Sequence, residues 1–251
     1  MPDAGILDCW LVIPAYREGH RLPSFLERLL HRLNRCAVQV AVLVVDDGSP
    51  PAEQCELEVR IGEIRKKQVQ LRPLVCLPEN RGKGASIYTG WDRAEPSRYL
   101  GFVDADGAVS PDEVARVLDM VRSSGHPPCA YFASRIKMLG RKIERKPERH
   151  LIGRIFATMV GLLLGIGVYD SQCGFKIIPS GFYGPIKPLL QEPRFAFDVE
   201  LLAALRHVGC PVVEVPIDWH DTPGSKVRLI RDSWDMARAV MSLSRRMKRW
   251  M

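Results

Sequence analysis

Residues 38–45 are a nearly unbroken β-branched and aliphatic run that ends in Asp46-Asp47-Gly48-Ser49. A strand wetted on one face alternates polar and apolar residues. A strand without that alternation is covered on both faces, as parallel strands between two helix layers are. The flanking sequence repeats the rhythm. Residues 9–13 read as a strand that Pro14 is expected to stop, and Leu22, Phe25, Leu26, Leu29, Leu30 and Leu33 then recur at helical spacing. Helices are expected over 51–67, 85–94 and 111–123, the last opened by Ser110 as cap with Pro111 in the first turn. Strands are expected over 69–76 and 99–103. Strands alternating with helices imply an α/β protein with a mostly parallel, Rossmann-like sheet flanked by helices.

Ligands of such sheets bind at the carboxyl ends of the strands. Three polar segments fall there: Pro14-Ala15-Tyr16-Arg17-Glu18, Asp46-Asp47-Gly48-Ser49 and Asp104-Ala105-Asp106. Side chains two apart on a strand project to the same side, so Asp104 and Asp106 converge where the apolar run 99–103 ends. That makes a hard-oxygen site suited to Mg²⁺ or Mn²⁺ holding a diphosphate. An acidic turn in solvent is the plainer alternative for this triplet taken alone. Asp46 reads as a cap of its turn or of the next helix, whereas Asp47 suits a ring N–H of a base. Arg81-Gly82-Lys83-Gly84 opens a helix and suits an anion or a base edge, without the spacing of a Walker loop.

Composition narrows the classes further. The 251 residues suffice for one sizeable core, and the net charge of +7 favours anionic partners such as nucleotides, nucleic acid or an anionic membrane. Seven cysteines without a C-x-x-C pair argue against zinc and, with no signal peptide visible, for reduced thiols in the cytoplasm. The most apolar stretch, 155–169, holds about 15 residues and three glycines, short of the roughly 20 that a spanning helix needs. The second half is less regular. A basic segment covers 135–154, a helix is expected over 197–208, a strand over 212–217 and a terminal helix over 231–251. Trp234, Ala237, Val240, Met241 and Met247 form an apolar stripe flanked by Arg238, Arg245, Arg246, Lys248 and Arg249. Such a basic amphipathic helix either lies on anionic lipid or packs its stripe on the core.

The ordered motifs Pro14-Ala15-Tyr16-x-Glu18, Val44-Val45-Asp46-Asp47-Gly48-Ser49, Asn80-Arg81-Gly82-Lys83-Gly84 and Asp104-Ala105-Asp106-Gly107 resemble family 2 glycosyltransferases of the GT-A fold. Asp170-Ser171-Gln172-Cys173-Gly174-Phe175-Lys176, Phe195-Ala196-Phe197-Asp198-Val199-Glu200 and Gly224-Ser225-Lys226 are most similar to the dolichyl-phosphate (polyprenyl-phosphate) β-glucosyltransferases. The resemblance runs from about residue 9 to about residue 240. Arg17 departs from the usual Asn of the first motif, and Gly153 stands where relatives often carry a serine.

The resemblance implies a single GT-A domain, 1–251, with a nucleotide-sugar-binding half at 9–125 and an acceptor- and membrane-facing half at 126–251. It implies that Pro14, Ala15, Tyr16, Glu18, Asp46, Asp47, Lys83, Asp104 and Asp106 bind the nucleotide sugar, Asp47 at the uracil ring. Asp104 and Asp106 would hold Mg²⁺ or Mn²⁺, and Asp106, Arg135 and Lys226 would be catalytic. Arg135, Arg149 and Arg154 would meet the acceptor phosphate. The implied reaction is inverting transfer of glucose from UDP-glucose to a polyprenyl (dolichyl-type) phosphate. Such an acceptor needs no protein base, because the second ionisation of a phosphate monoester lies near pH ~6. Eukaryotic members usually carry an N-terminal anchor, whereas this chain begins at its first strand, so a cytoplasmic protein peripheral at the membrane surface is expected. The alternatives are a GDP-mannose-dependent mannosyltransferase acting on the same lipid, glycosylation of a soluble hydroxyl, and a non-catalytic nucleotide- or nucleic-acid-binding module. No RNP-like aromatic pattern or helix-turn-helix signal supports binding to nucleic acid.

Overall fold

The computed structural model describes residues 5–136, 143–144, 161, 169–194, 196–220 and 229–250, with backbone only over 229–237. Its centre is a seven-stranded sheet in the order β3-β2-β1-β4-β7-β5-β8. The strands are β1 (Leu7–Ala15), β2 (Val40–Asp46), β3 (Val75–Cys76), β4 (Ser97–Val103), β5 (Ala130–Ser134), β7 (Phe175–Pro179) and β8 (Val212–Pro216). A separate parallel pair joins β6 (Ile143–Glu144) to β9 (Trp219–His220). The helices are α1 (Leu22–Leu33), α2 (Pro51–Arg65), α3 (Lys83–Trp91), α4 (Pro111–Ser123), α5 (Tyr183–Ile186), α6 (Phe197–His207) and α7 (Leu229–Met247). A mostly parallel sheet between helix layers is the architecture that the resemblance implies. Among the described residues no helix is long and apolar enough to cross a membrane.

The two faces of β1 show how the core is divided. Cys9, Leu11 and Ile13 pack with α1, α2 and α4, whereas Trp10 and Val12 pack with α3, α6 and α7. All seven residues of β2 are buried, as a strand covered on both faces requires. The six apolar positions of α1 are buried, and each removes a side chain from water at a gain of roughly 1.5–3 kcal/mol. Ser110 Oγ accepts from Glu113 N at 3.2 Å and caps α4, which spans 111–123 as its sequence implies.

Three local expectations are corrected. Pro14 does not end β1: it lies opposite Val45 of β2, beyond the last β4 pair at Val12–Phe102, so its missing N–H removes nothing from the β4 ladder. The strand expected over 69–76 shrinks to Val75–Cys76, with an isolated bridge from Leu71 to Val42, because Pro73 cannot donate to a ladder. The terminal helix runs over Leu229–Met247. The sheet is mostly parallel, as the sequence implies. β7, which the sequence reading leaves outside any strand, runs antiparallel between β4 and β5. Its run Phe-Lys-Ile-Ile-Pro hides a fully buried lysine, so hydropathy alone gives a weak strand signal.

Candidate active site

The parallel register puts the ends of β1 and β2 side by side, Ala15 opposite Asp46, and Asp47 N donates to Ala15 O at 2.7 Å. The two neighbouring carboxylates then diverge. Asp46 accepts from Ser49 N at 2.8 Å, Ser49 Oγ at 2.5 Å and Gln54 Nε2 at 2.9 Å, so it is spent on the turn and on α2. Asp47 accepts from Arg81 N and Gly82 N, both at 2.9 Å, and so ties the β2 loop to the loop that opens α3. Burial raises the Asp47 pKa despite those two amides. Arg17 N donates to Ser49 Oγ at 2.8 Å, and its backbone has φ 54°. Glu18 is held bidentately by Arg21 at 2.9 and 2.8 Å, at the start of α1. The first two motifs are therefore joined by direct hydrogen bonds at the carboxyl ends of β1 and β2.

Asp104 follows β4 directly, and its amide donates to Gly174 O at 2.8 Å. Lys83 Nζ lies 2.6 Å from Asp104 Oδ1 and 4.0 Å from Asp198 Oδ2, and sits over the rings of Phe102 (4.9 Å) and Phe197 (5.4 Å). Burial disfavours the ammonium, yet Asp104 and Asp198 outweigh it and hold Lys83 protonated above its ordinary range. A Cβ on Gly174 would lie 2.1 Å from Asp104 Oδ2, so only glycine lets the 170–176 segment approach this carboxylate. Asp106 accepts from Ala108 N at 3.0 Å. Burial, and then the charge of Asp104, push the Asp106 pKa up.

Two carboxylates two positions apart, one of them resisting ionisation, form a donor set that a hard divalent cation stabilises. Among the described residues no group of three His, Cys, Asp or Glu gathers, so an ion here would share itself between protein, phosphate oxygens and water, as Mg²⁺ prefers. Asp104 and Asp106 thus fit the implied metal.

Arg135 extends the site on the far side of β7. Asp170 holds its guanidinium at 2.7 and 2.8 Å and its backbone amide at 2.9 Å, and the guanidinium stands 5.5 Å from the centre of the Trp219 ring. Burial works against ionisation of Asp170, but Arg135 overrides it and keeps the acid well below the usual carboxylate range. Glu214 accepts from Ser134 Oγ and Asp170 N at 3.0 Å and from Tyr169 N at 2.9 Å, and so braces the pair. Arg149, Arg154 and Lys226 lie outside the described residues, as do most of the basic segment and the 155–168 stretch.

The structure adds groups to which the motifs alone assign no role. Lys176 is buried between Asp198 Oδ1 at 2.5 Å and Cys173 O at 2.6 Å, which joins Asp104, Lys83, Asp198 and Lys176 in one alternating chain of charge. Their sequence signal is membership of the 170–176 and 195–200 motifs.

Comparison with known proteins gives a consistent result. The model of the family described as "Glycosyl transferase family 2" matches residues 10–175. The chain is 30% identical over 244 residues to the dolichyl-phosphate beta-glucosyltransferase of Saccharomyces cerevisiae, covering 92% of this chain and 72% of that one. It is 29% identical to the protein of that name from Dictyostelium discoideum, covering 93% and 72%. The human dolichyl-phosphate beta-glucosyltransferase is 29% identical, covering 86% and 68%. Among solved structures, glucosyl-3-phosphoglycerate synthase from Mycobacterium tuberculosis in complex with Mg²⁺ and UDP superposes with a TM-score of 0.67 at 15% identity, covering 96% of this chain and 79% of that one. The same enzyme with Mn²⁺, UDP and phosphoglyceric acid gives 0.67 at 15% identity, covering 96% and 78%.

Proposed function

This chain belongs to glycosyl transferase family 2, and we propose that it transfers glucose from UDP-glucose to a polyprenyl (dolichyl-type) phosphate with inversion at C1. The observation that carries the reading is the Asp104–Asp106 pair at the tip of β4, with Lys83 against Asp104 and the Asp47 loop alongside. The names of the relatives, dolichyl-phosphate beta-glucosyltransferase, support glucose as the sugar moved and a dolichyl-type phosphate as the acceptor.

In this reading Asp47 accepts the imide N–H of uracil, with Pro14, Ala15, Tyr16 and Glu18 around the nucleoside. Asp104 and Asp106 hold Mg²⁺ or Mn²⁺, which when bound supplies charge neutralisation for the leaving diphosphate. Lys83 adds a fixed positive charge beside the phosphates, and Arg135 orients phosphate with its guanidinium already locked by Asp170. The same reading gives Lys226 a catalytic role and Arg149 and Arg154 the acceptor phosphate, all three outside the described residues. The acceptor phosphate oxygen attacks C1, the bond from C1 to the diphosphate oxygen breaks, and UDP departs with the electron pair. A dianionic phosphate needs no general base. The surrounding carboxylates fit that economy: Glu18, Asp170 and Asp198 are each held by a cation and Asp47 by two amides. The donor is then held mainly by residues 9–125 and the acceptor by residues 126–251. The basic outer side of α7 rests on the cytoplasmic membrane surface.

The test incubates purified protein with polyprenyl phosphate and either labelled UDP-glucose or labelled GDP-mannose, with and without chelator. Label is expected in the lipid fraction only from UDP-glucose, and chelator should remove it. Asp106→Ala should lower turnover about 10³-fold, the equivalent of several kcal/mol of lost charge stabilisation. Transfer from GDP-mannose instead, or a product of retained configuration, would overturn the assignment.

A further inference from the structure

The Arg81–Gly84 loop, whose amides clasp Asp47, is packed from outside by a second loop, residues 191–193. Ala85 N donates to Pro193 O at 3.0 Å. A Cβ on Gly82 would lie 2.5 Å from Pro193 O, and one on Gly84 would lie 2.7 Å from Glu192 O. Backbone thus lies against backbone, and the added Cβ atoms would also meet Arg194 Cγ at 2.9 Å from Gly82 and Phe197 Cβ at 2.7 Å from Gly84, so the two loops leave each other little room to shift. The 191–193 loop is fixed in turn by a single carboxylate. Glu200, in the first turns of α6 and fully buried, accepts from Gln191 N at 2.8 Å and Glu192 N at 2.7 Å through Oε2. Its other oxygen, Oε1, faces Arg246 Nη1 of α7 at 2.6 Å. A buried carboxylate with one cation partner depends on that partner, because its removal leaves an uncompensated charge.

We propose that Glu200 is a positioning residue for the loop that opens α3, and that Arg246 makes the geometry of this loop depend on the seating of the C-terminal helix. The connection runs from Arg246 through Glu200 to the 191–193 backbone, then to Gly82 and Gly84, and from the Arg81 and Gly82 amides to Asp47. Naming this segment a donor loop rests on the function proposed above; the mechanical coupling does not.

The experiment uses the full chain as wild type, Arg246→Met, Arg246→Lys and Glu200→Gln. Amide hydrogen exchange is followed at Arg81, Gly82, Ala85, Gln191 and Glu192 without ligand, and UDP with Mn²⁺ is titrated in parallel. Val240 and Leu243 remain to hold α7 in the Arg246 variants. Exchange at these five amides should quicken about tenfold or more in Arg246→Met, the size expected when hydrogen bonds to a charged acceptor loosen. Amides of β2 should stay unchanged, and Arg246→Lys should restore much of the protection. UDP should bind about tenfold more weakly to Arg246→Met, in step with the exchange. Unchanged exchange at Arg81 and Gly82, with only a lower melting temperature, would overturn the proposal and leave the pair as packing alone. Failure of UDP to bind the wild-type protein would count against the donor reading, while the exchange arm still decides the coupling.

Discussion

Asp46 and Asp47 are adjacent in the chain and chemically alike, yet they end in different work. A carboxylate that leaves a buried strand is used by whatever lies within reach, and Ser49 and Gln54 take Asp46 before any ligand arrives. Asp47 meets two backbone amides and the Ser86 hydroxyl, and a carboxylate still has lone pairs to offer beyond these. Burial raises its pKa above the ordinary 3.8, against the opposing pull of Arg81 N and Gly82 N. The sign follows: the folded protein takes up this proton at a higher pH than the unfolded chain does, so the anionic acceptor is lost on acidification before pH 3.8 is reached. The affinity ratio for UDP between wild type and Asp47→Asn, measured by calorimetry from pH 7 down to about pH 4, should therefore narrow as pH falls. A ratio constant across that range would remove Asp47 from base recognition. Several partners at this scale were not legible in the sequence. Lys176 and Asp198 are 22 positions apart, Arg135 and Asp170 are 35 apart, and Glu200 and Arg246 stand on different helices. A motif names its members, but it does not say which distant charge will neutralise each of them.

At the scale of elements, legibility followed apolar periodicity. β2 and α1 were plain because every core position carries an aliphatic or aromatic residue, and α4 was plain because a cap and a proline mark its first turn. Elements that draw stability from pairing rather than from their own pattern were not. β5 and β7 are five residues each, and β7 spends one of those on a lysine. Its position in the sheet comes from β4 and β5 on either side, which a local window does not contain. α4 offers a clean test of local cause. Ser110→Ala removes the cap to Glu113 N and should cost about 1 kcal/mol, a fall of about 2–4 °C in melting temperature for a chain of this size. Glucosyl transfer should survive in this variant, because the Ser110 hydroxyl caps α4 and is not among the proposed site groups. A melting curve superimposable on that of wild type would show that the helix start is set by tertiary packing alone.

At the scale of the whole molecule, the excess of positive charge meets an amphipathic helix. The sequence left open whether the stripe on α7 faces lipid or core. Val240 of the stripe, with Leu243 beside it, is buried in the core cluster that α6 helps to form, so that part of the helix is core, while Arg238, Met241, Arg245, Lys248 and Arg249 remain exposed. A basic outer face beside an exposed methionine suits an anionic surface. Each basic residue near such a surface contributes about 1 kcal/mol, so a triple Arg245→Gln, Lys248→Gln, Arg249→Gln variant should partition about a hundredfold more weakly onto phosphatidylserine vesicles at low salt. Sedimentation with vesicles measures this, and equal binding of variant and wild type would assign membrane contact to another part of the chain.

The threading of β7 between β4 and β5 has a consequence for any attempt to divide the protein. The strand bordering the tip of β4, and the glycine that lets Asp104 stand where it does, arrive some seventy positions later in the chain (residue 104 against residue 174). A fragment ending after α4 would expose one whole flank of β4 as a bare ladder of unpaired amides and carbonyls, open to pairing with its neighbours in solution. The amino-terminal portion is thus no detachable cassette: Asp104 owes its posture to a strand supplied from much later in the chain.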